Sequence, residues 1–161
     1  MSRAWGQRLR PEPGSGLMIG RWEPAGPADL TTGRRRLAAA LHDGARPPCA
    51  NEGAVERLLL AYEELASNGL RHGRHPVEVT VTGNNTSWLL EVSDAAADRP
   101  PSPAIGRDPA RGGLGLHLIA RLCDAHGWTT DGHRKTVWAR IDHTSTGTPT
   151  ARPRGHLGPG H

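Results

Sequence analysis

Between Glu52 and His72 the chain carries Val55, Leu58, Leu59, Tyr62, Leu65, Ala66 and Gly69 at helical intervals, gathering them into one apolar stripe at about 100° per residue. This stripe constrains the fold more than any other segment, because a helix so marked has to be covered by a second layer. Glu64 and Asn68 sit off the stripe, alongside Arg57, Ala61 and His72. Their i,i+4 spacing makes them neighbours on a face that meets something other than the main core. Taken alone, such a pair is most simply a solvated polar helix face.

The flanking residues supply the second layer. Residues 77–82 alternate with Val77, Val79 and Val81 on one face, Gly83-Asn84-Asn85 gives a turn, and residues 87–94 return as the second strand of a hairpin. Trp88, Leu90 and Val92 share a face in that strand, and the period of two places Asp94 on the same inward face. Upstream, residues 17–22 read as a short strand, and an Asp29-capped segment through about residue 41 carries Leu30, Leu37, Ala38 and Leu41 at helical intervals until Pro47-Pro48. After a Pro-rich loop, 95–111, helical register returns with Leu114, Leu118, Ile119 and Leu122, and strand-like runs at 128–131 and 135–141 flank Gly132. Strand, helix, helix, hairpin, helix, hairpin predicts an α/β protein of the α+β two-layer sandwich type. Its sheet is expected to be mixed and mostly antiparallel, with the helices on one face.

At 161 residues, with 35% hydrophobic and 22% charged residues, the chain has room for one soluble domain. That domain is expected over 17–143, with 1–16 and 144–161 as mobile tails rich in Gly, Pro, Ser, Thr and Arg. A formal charge of +4 and a pI near 10.0 would ordinarily suggest nucleic acid or an anionic membrane as partner. The excess, however, lies wholly in the tails, in Arg3, Arg8, Arg10, Arg152 and Arg154 against Glu12. A reader of phosphate backbones carries its basic patch on the folded body, so direct nucleic-acid binding is not expected. Cys49 and Cys123 lack CxxC spacing, no apolar run approaches the roughly 20 residues of a membrane span, and no h-region follows the N-terminus. The expected location is the cytoplasm, with no membrane partner.

Three places carry chemistry. An inward carboxylate at a strand end, Asp94, needs a donor, and the amino group of adenine is one; capping of the following turn by the same side chain is the competing reading. Arg111-Gly-Gly113-Leu114-Gly115 opens a helix, where glycines let backbone amides approach an anion and the helix N-terminus favours phosphate. Glycine before a helix also serves purely steric ends. Asn68 offers an oxygen suited to Mg2+, and Glu64 can accept a proton from a hydroxyl nucleophile attacking a terminal phosphoryl group. His72 reads as a helix-end residue before Gly73.

In order and spacing, Glu64 to Gly73, Val92-Ser93-Asp94, Gly113-Leu114-Gly115-Leu116 and Lys135-Thr136-Val137-Trp138-Ala139 resemble the N, G1, G2 and final boxes of the GHKL ATPase superfamily, which has the Bergerat fold. The short single-domain form is most similar to the anti-sigma factor serine/threonine kinases, over roughly residues 17–142. The resemblance implies ATP and Mg2+ as cofactors, Glu64 as catalytic base, Asn68 as metal ligand, Asp94 as partner of the adenine amino group, Arg111, Gly113, Leu114 and Gly115 at the phosphates, and Thr136 near adenine. It also implies a lid over 95–112, and as partners a sigma factor and an anti-sigma factor antagonist phosphorylated at serine; a homodimer stays open. The G1 pattern DxGxG is here Asp94-Ala-Ala-Ala-Asp98, and Gly69 stands where alanine is usual. A non-catalytic module in which ATP orders a protein-binding surface is the alternative. A detached histidine kinase catalytic domain is disfavoured, since the region before Glu52 is too short and too broken by Pro and Gly for a dimerising hairpin.

Overall fold

The computed structural model describes residues 5–11, 16–45, 50–101 and 114–143. Among the described residues five strands form one sheet in the order β1 (Leu17–Trp22), β2 (Glu78–Gly83), β3 (Ser87–Asp94), β5 (Lys135–Asp142), β4 (Ala125–Thr130), each pair antiparallel. Among the same residues three α-helices accompany it, α1 (Pro27–Ala40), α2 (Glu52–His72) and α3 (Leu114–Leu122), an α+β fold.

The strands alternate because their inward positions are apolar. Val79 and Val81 of β2, Trp88, Leu90 and Val92 of β3, and Val137, Ala139 and Ile141 of β5 join Leu58, Tyr62, Leu65 and Ala66 of α2 in one core. Burying each valine, leucine or isoleucine among them contributes roughly 1.5–3 kcal/mol relative to leaving it in water. Gly69 lets α2 settle close to the sheet, since a Cβ there would stand 3.1 Å from Val92 and 3.2 Å from Val77.

Asn51 caps α2 by accepting from the Ala54 amide at 2.8 Å. α1 begins earlier than Asp29: Gly26 occupies the cap position, Pro27 opens the helix, and Asp29 in the first turn accepts from the Ala25 amide at 2.8 Å. α1 runs on into a wider turn at Leu41–Ala45. β4 also starts earlier than its sequence suggests, because His126 and Gly127 break the apolar alternation at its beginning.

Residues 5–11 depart from the expectation of a mobile tail. Trp5 is 6% exposed in the core, stacks on His126 with ring centroids 4.4 Å apart, and donates from Nε1 to the Leu116 carbonyl of α3 at 3.1 Å. Gln7 bridges Trp128 in parallel, the Arg8 amide donates to the Trp128 carbonyl, and the Arg8 carbonyl accepts from Trp138 Nε1. Arg10 then pairs with Glu91. The segment thus covers part of the outer edge of β4 and part of the sheet face away from the helices. The expectation for 144–161 falls outside the described residues, as do residues 12–15 and 1–4 of the N-terminal stretch.

Candidate functional site

α2 carries the first two residues. Glu64 and Asn68 are both half-buried and one turn apart, on a side of the helix where Ala61 is only 1% exposed. That side is no open solvated face. Near its N-terminal end, Arg57 donates to the Leu122 carbonyl at the end of α3 and to the Asp142 carbonyl of β5, at 3.3 and 3.1 Å. α3 is thereby tied to the same helix that holds Glu64 and Asn68.

Asp94 enters from the sheet at the C-terminal end of α2. Its side chain is buried, with Oδ1 accepting from the Ala96 amide at 2.7 Å and, more weakly, from the Arg74 amide at 3.5 Å. The turn-capping reading of Asp94 therefore holds for one oxygen. The other oxygen, Oδ2, faces Lys135 Nζ at 3.4 Å. Gly73 closes α2 with its backbone against this carboxyl, leaving 2.6 Å between a notional Cβ and either Cγ or Oδ2 of Asp94. Its φ of −85° and ψ of −176° are extended, so space rather than a left-handed turn requires glycine here. Along α2, Glu64, Asn68 and the Gly73–Asp94 contact follow one another over about 13 Å.

The β4–β5 turn secures the far side. Asp131 Oδ1 accepts from the His133 and Arg134 amides at 2.8 Å each, and the Arg134 and His133 amides hold its carboxyl below the usual range. Gly132 completes the turn at φ 92°, in the left-handed region that favours glycine. Arg134 in turn donates to the Pro76 carbonyl at 2.8 Å and Ser93 Oγ at 3.0 Å, lashing the turn beside Asp94.

Of the residues singled out from sequence, Glu64, Asn68 and Asp94 are brought to one helix and its end. Leu114 opens α3 and Gly115 lies in its first turn, while Arg111 and Gly113 fall outside the described residues, as does the expected 95–112 lid from residue 102 onward. Thr136 pairs with Ser93 and Thr129, and strand alternation sets it with Trp138 and Arg140, opposite Asp94 and Val137. Lys135, directly across from Asp94 in the β3–β5 register, shares Asp94's face instead. Sequence reasoning missed Lys135 and the spatial role of Gly73. The parity of Val137, Ala139 and Ile141, carried two residues back, would have turned Lys135 inward.

The donor set suits ATP with magnesium. Asp94 presents a buried acceptor to an amino group, and its 3.4 Å separation from Lys135 is longer than a direct ammonium–carboxylate hydrogen bond, so Oδ2 retains accepting capacity. Asn68 supplies one amide oxygen, which fits Mg2+, an ion that takes much of its shell from phosphates and water. Among the described residues no group of three or more His, Cys, Asp or Glu side chains is placed to hold a metal by itself.

No curated protein matches the chain. A family model described as the histidine kinase-like ATPase domain matches residues 24–141, which runs from before α1 to Ile141 in β5 and takes in Glu64, Asn68, Gly73, Asp94 and Lys135. The chain belongs to the histidine kinase-like ATPase domain family of the GHKL superfamily, for which ATP is the ligand.

Proposed function

We infer that the chain is an ATP-dependent protein serine/threonine kinase of the anti-sigma factor type, which holds a sigma factor through one surface and phosphorylates an anti-sigma factor antagonist. The observation that carries this reading is the placement of a carboxylate, Glu64, one turn from the amide oxygen of Asn68, on the helix whose end abuts Asp94. A site for binding alone has no use for a base beside its metal ligand.

In this reading Asp94 fixes the base, and the first turn of α3, with Leu114 and Gly115, receives phosphate together with Arg111 and Gly113. Asn68 donates an oxygen to Mg2+, which when bound neutralises charge on the phosphates. Thr136 is assigned near adenine by resemblance, and strand parity favours Lys135 for contact with Asp94. Glu64 takes the proton of an incoming serine hydroxyl as the oxygen bonds to the terminal phosphorus. The bond to the bridging oxygen breaks, and ADP leaves with the electron pair. The hydroxyl comes from the partner protein, so the chain itself needs no nucleophile.

A second reading, an ATP-responsive binding module without turnover, is favoured by one observation. Asp94-Ala-Ala-Ala-Asp98 has neither G1 glycine. Glu64→Gln separates the two. With γ-labelled ATP and a serine-bearing antagonist, the kinase reading requires transfer by the unmutated chain and a loss of about a hundredfold or more in the variant, with ATP affinity unchanged. Equal transfer by both proteins removes Glu64 from the mechanism; ATP binding without transfer by either leaves the module.

A further inference from the structure

Lys135 is 4% exposed and Asp94 2%, so the two charges form a buried pair rather than a surface salt bridge. Their contact is long, 3.4 Å, while the same ammonium makes a 2.8 Å hydrogen bond to the Arg99 carbonyl. Arg99 belongs to the turn that follows Asp94, its amide donating to the Ala96 carbonyl at 3.1 Å. Lys135 therefore supplies Asp94 with a counter-charge without saturating Oδ2 as an acceptor, and spends its best hydrogen bond on the chain leading away from Asp94. A buried carboxylate without such a counter-charge is costly, and it turns toward other donors or solvent and no longer presents Oδ2 as an acceptor.

We propose that Lys135 is a positioning residue for purine selection: by holding the Asp94 carboxylate in place as an acceptor and pinning the 96–99 turn beside it, Lys135 makes the site accept 6-amino purine nucleotides and reject 6-oxo ones. The inference rests on the reading of Asp94 as the base-reading residue. A 6-amino group donates to Oδ2, whereas a 6-oxo group held in the same place sets one acceptor against another. The contact belongs to a charged group, and its loss corresponds to a discrimination of about tenfold to a hundredfold.

The test is calorimetric titration with ATP and with ITP, each with magnesium, of the unmutated chain, Lys135→Met and Lys135→Arg. The unmutated chain is expected to bind ATP at least about tenfold more tightly than ITP. Lys135→Met is expected to lose most of that ratio, and Lys135→Arg, which keeps a cation facing Oδ2, to retain it. A role in stability alone would weaken both nucleotides together and leave the ratio unmoved, and that result overturns the inference. Should Lys135→Met not fold, Lys135→Arg carries the test, and loss of the ratio there contradicts the account. If the unmutated chain binds ATP and ITP equally, Asp94 does not read the base and the inference falls. If it binds neither, the nucleotide reading itself fails and takes this inference with it.

Discussion

A methyl group at position 73 would stand 2.6 Å from the Asp94 carboxyl and 2.5 Å from the Gly69 carbonyl, so the end of α2 and the buried acid are fitted to each other through a missing side chain. Gly73→Ala is expected to destabilise the fold by about 1–3 kcal/mol through overpacking. It is also expected to weaken ATP binding, because the carboxyl ends a side chain that can turn, whereas the Gly69 carbonyl is held in the helix backbone. Thermal unfolding and titration of the same variant check both effects; a variant with unaltered ATP affinity would show that Asp94 keeps its place regardless. Glu64 and Asn68 were legible as a pair, since a helical wheel needs only their spacing. Gly73 was read as a helix end, a position where glycine ordinarily serves backbone conformation, and nothing in the sequence tells that from a need for space. Lys135 was missed for a related reason: a lysine at the start of a strand next to a turn looks like a solvated end until its cross-strand partner is known.

Among the elements, the N-terminal segment has the largest unanticipated role. Trp5 links the first half of α3 to β4, and Arg8 and Arg10 lie across the sheet face away from the helices. Trp5→Ala is expected to cost about 3–5 kcal/mol, as truncation of a buried aromatic does. Freeing the segment would also uncover backbone groups on the edge of β4 and favour association between copies. Denaturant unfolding with a parallel light-scattering measurement checks this, and an unchanged midpoint would mean that Trp5 docks without contributing stability. The segment escaped sequence reading because one tryptophan amid Gly, Pro and Arg makes no period. α2, β2, β3 and β5 were legible because each repeats an apolar residue at its own interval, whereas the starts of α1 and β4 shifted with Pro27 and with His126-Gly127.

For the whole molecule, the layers follow from those periods, but the order β1-β2-β3-β5-β4 does not. Placing β5 beside β3 is a long-range pairing that leaves no local mark, and it is the pairing that sets Lys135 against Asp94. The same pairing ends at His143, which is 4% exposed, packs on Trp88 with ring centroids 4.7 Å apart, and meets the Asn84 carbonyl through Nε2 at 3.2 Å. Burial pushes its imidazole below the ordinary value, with the Asn84 carbonyl and the Asp142 charge opposing in part. A depressed histidine leaves the unfolded chain binding more protons. Its stabilising share is therefore intact above about pH 6.5 and is lost as pH falls through that value toward the folded one. Unfolding free energy followed from pH 8 to 5 is expected to decline more steeply in the unmutated chain than in His143→Gln, and parallel curves would show that other groups set the slope. The central claim remains that residues distant in the chain, Asp94 on the sheet with Asn68 and Glu64 on α2, meet around one adenine nucleotide. Calorimetric titration with ATP and magnesium tests it most directly. The account predicts saturable one-to-one binding that Asp94→Asn weakens by about tenfold or more, and it is contradicted by no binding to the unmutated protein or by equal affinity in the variant.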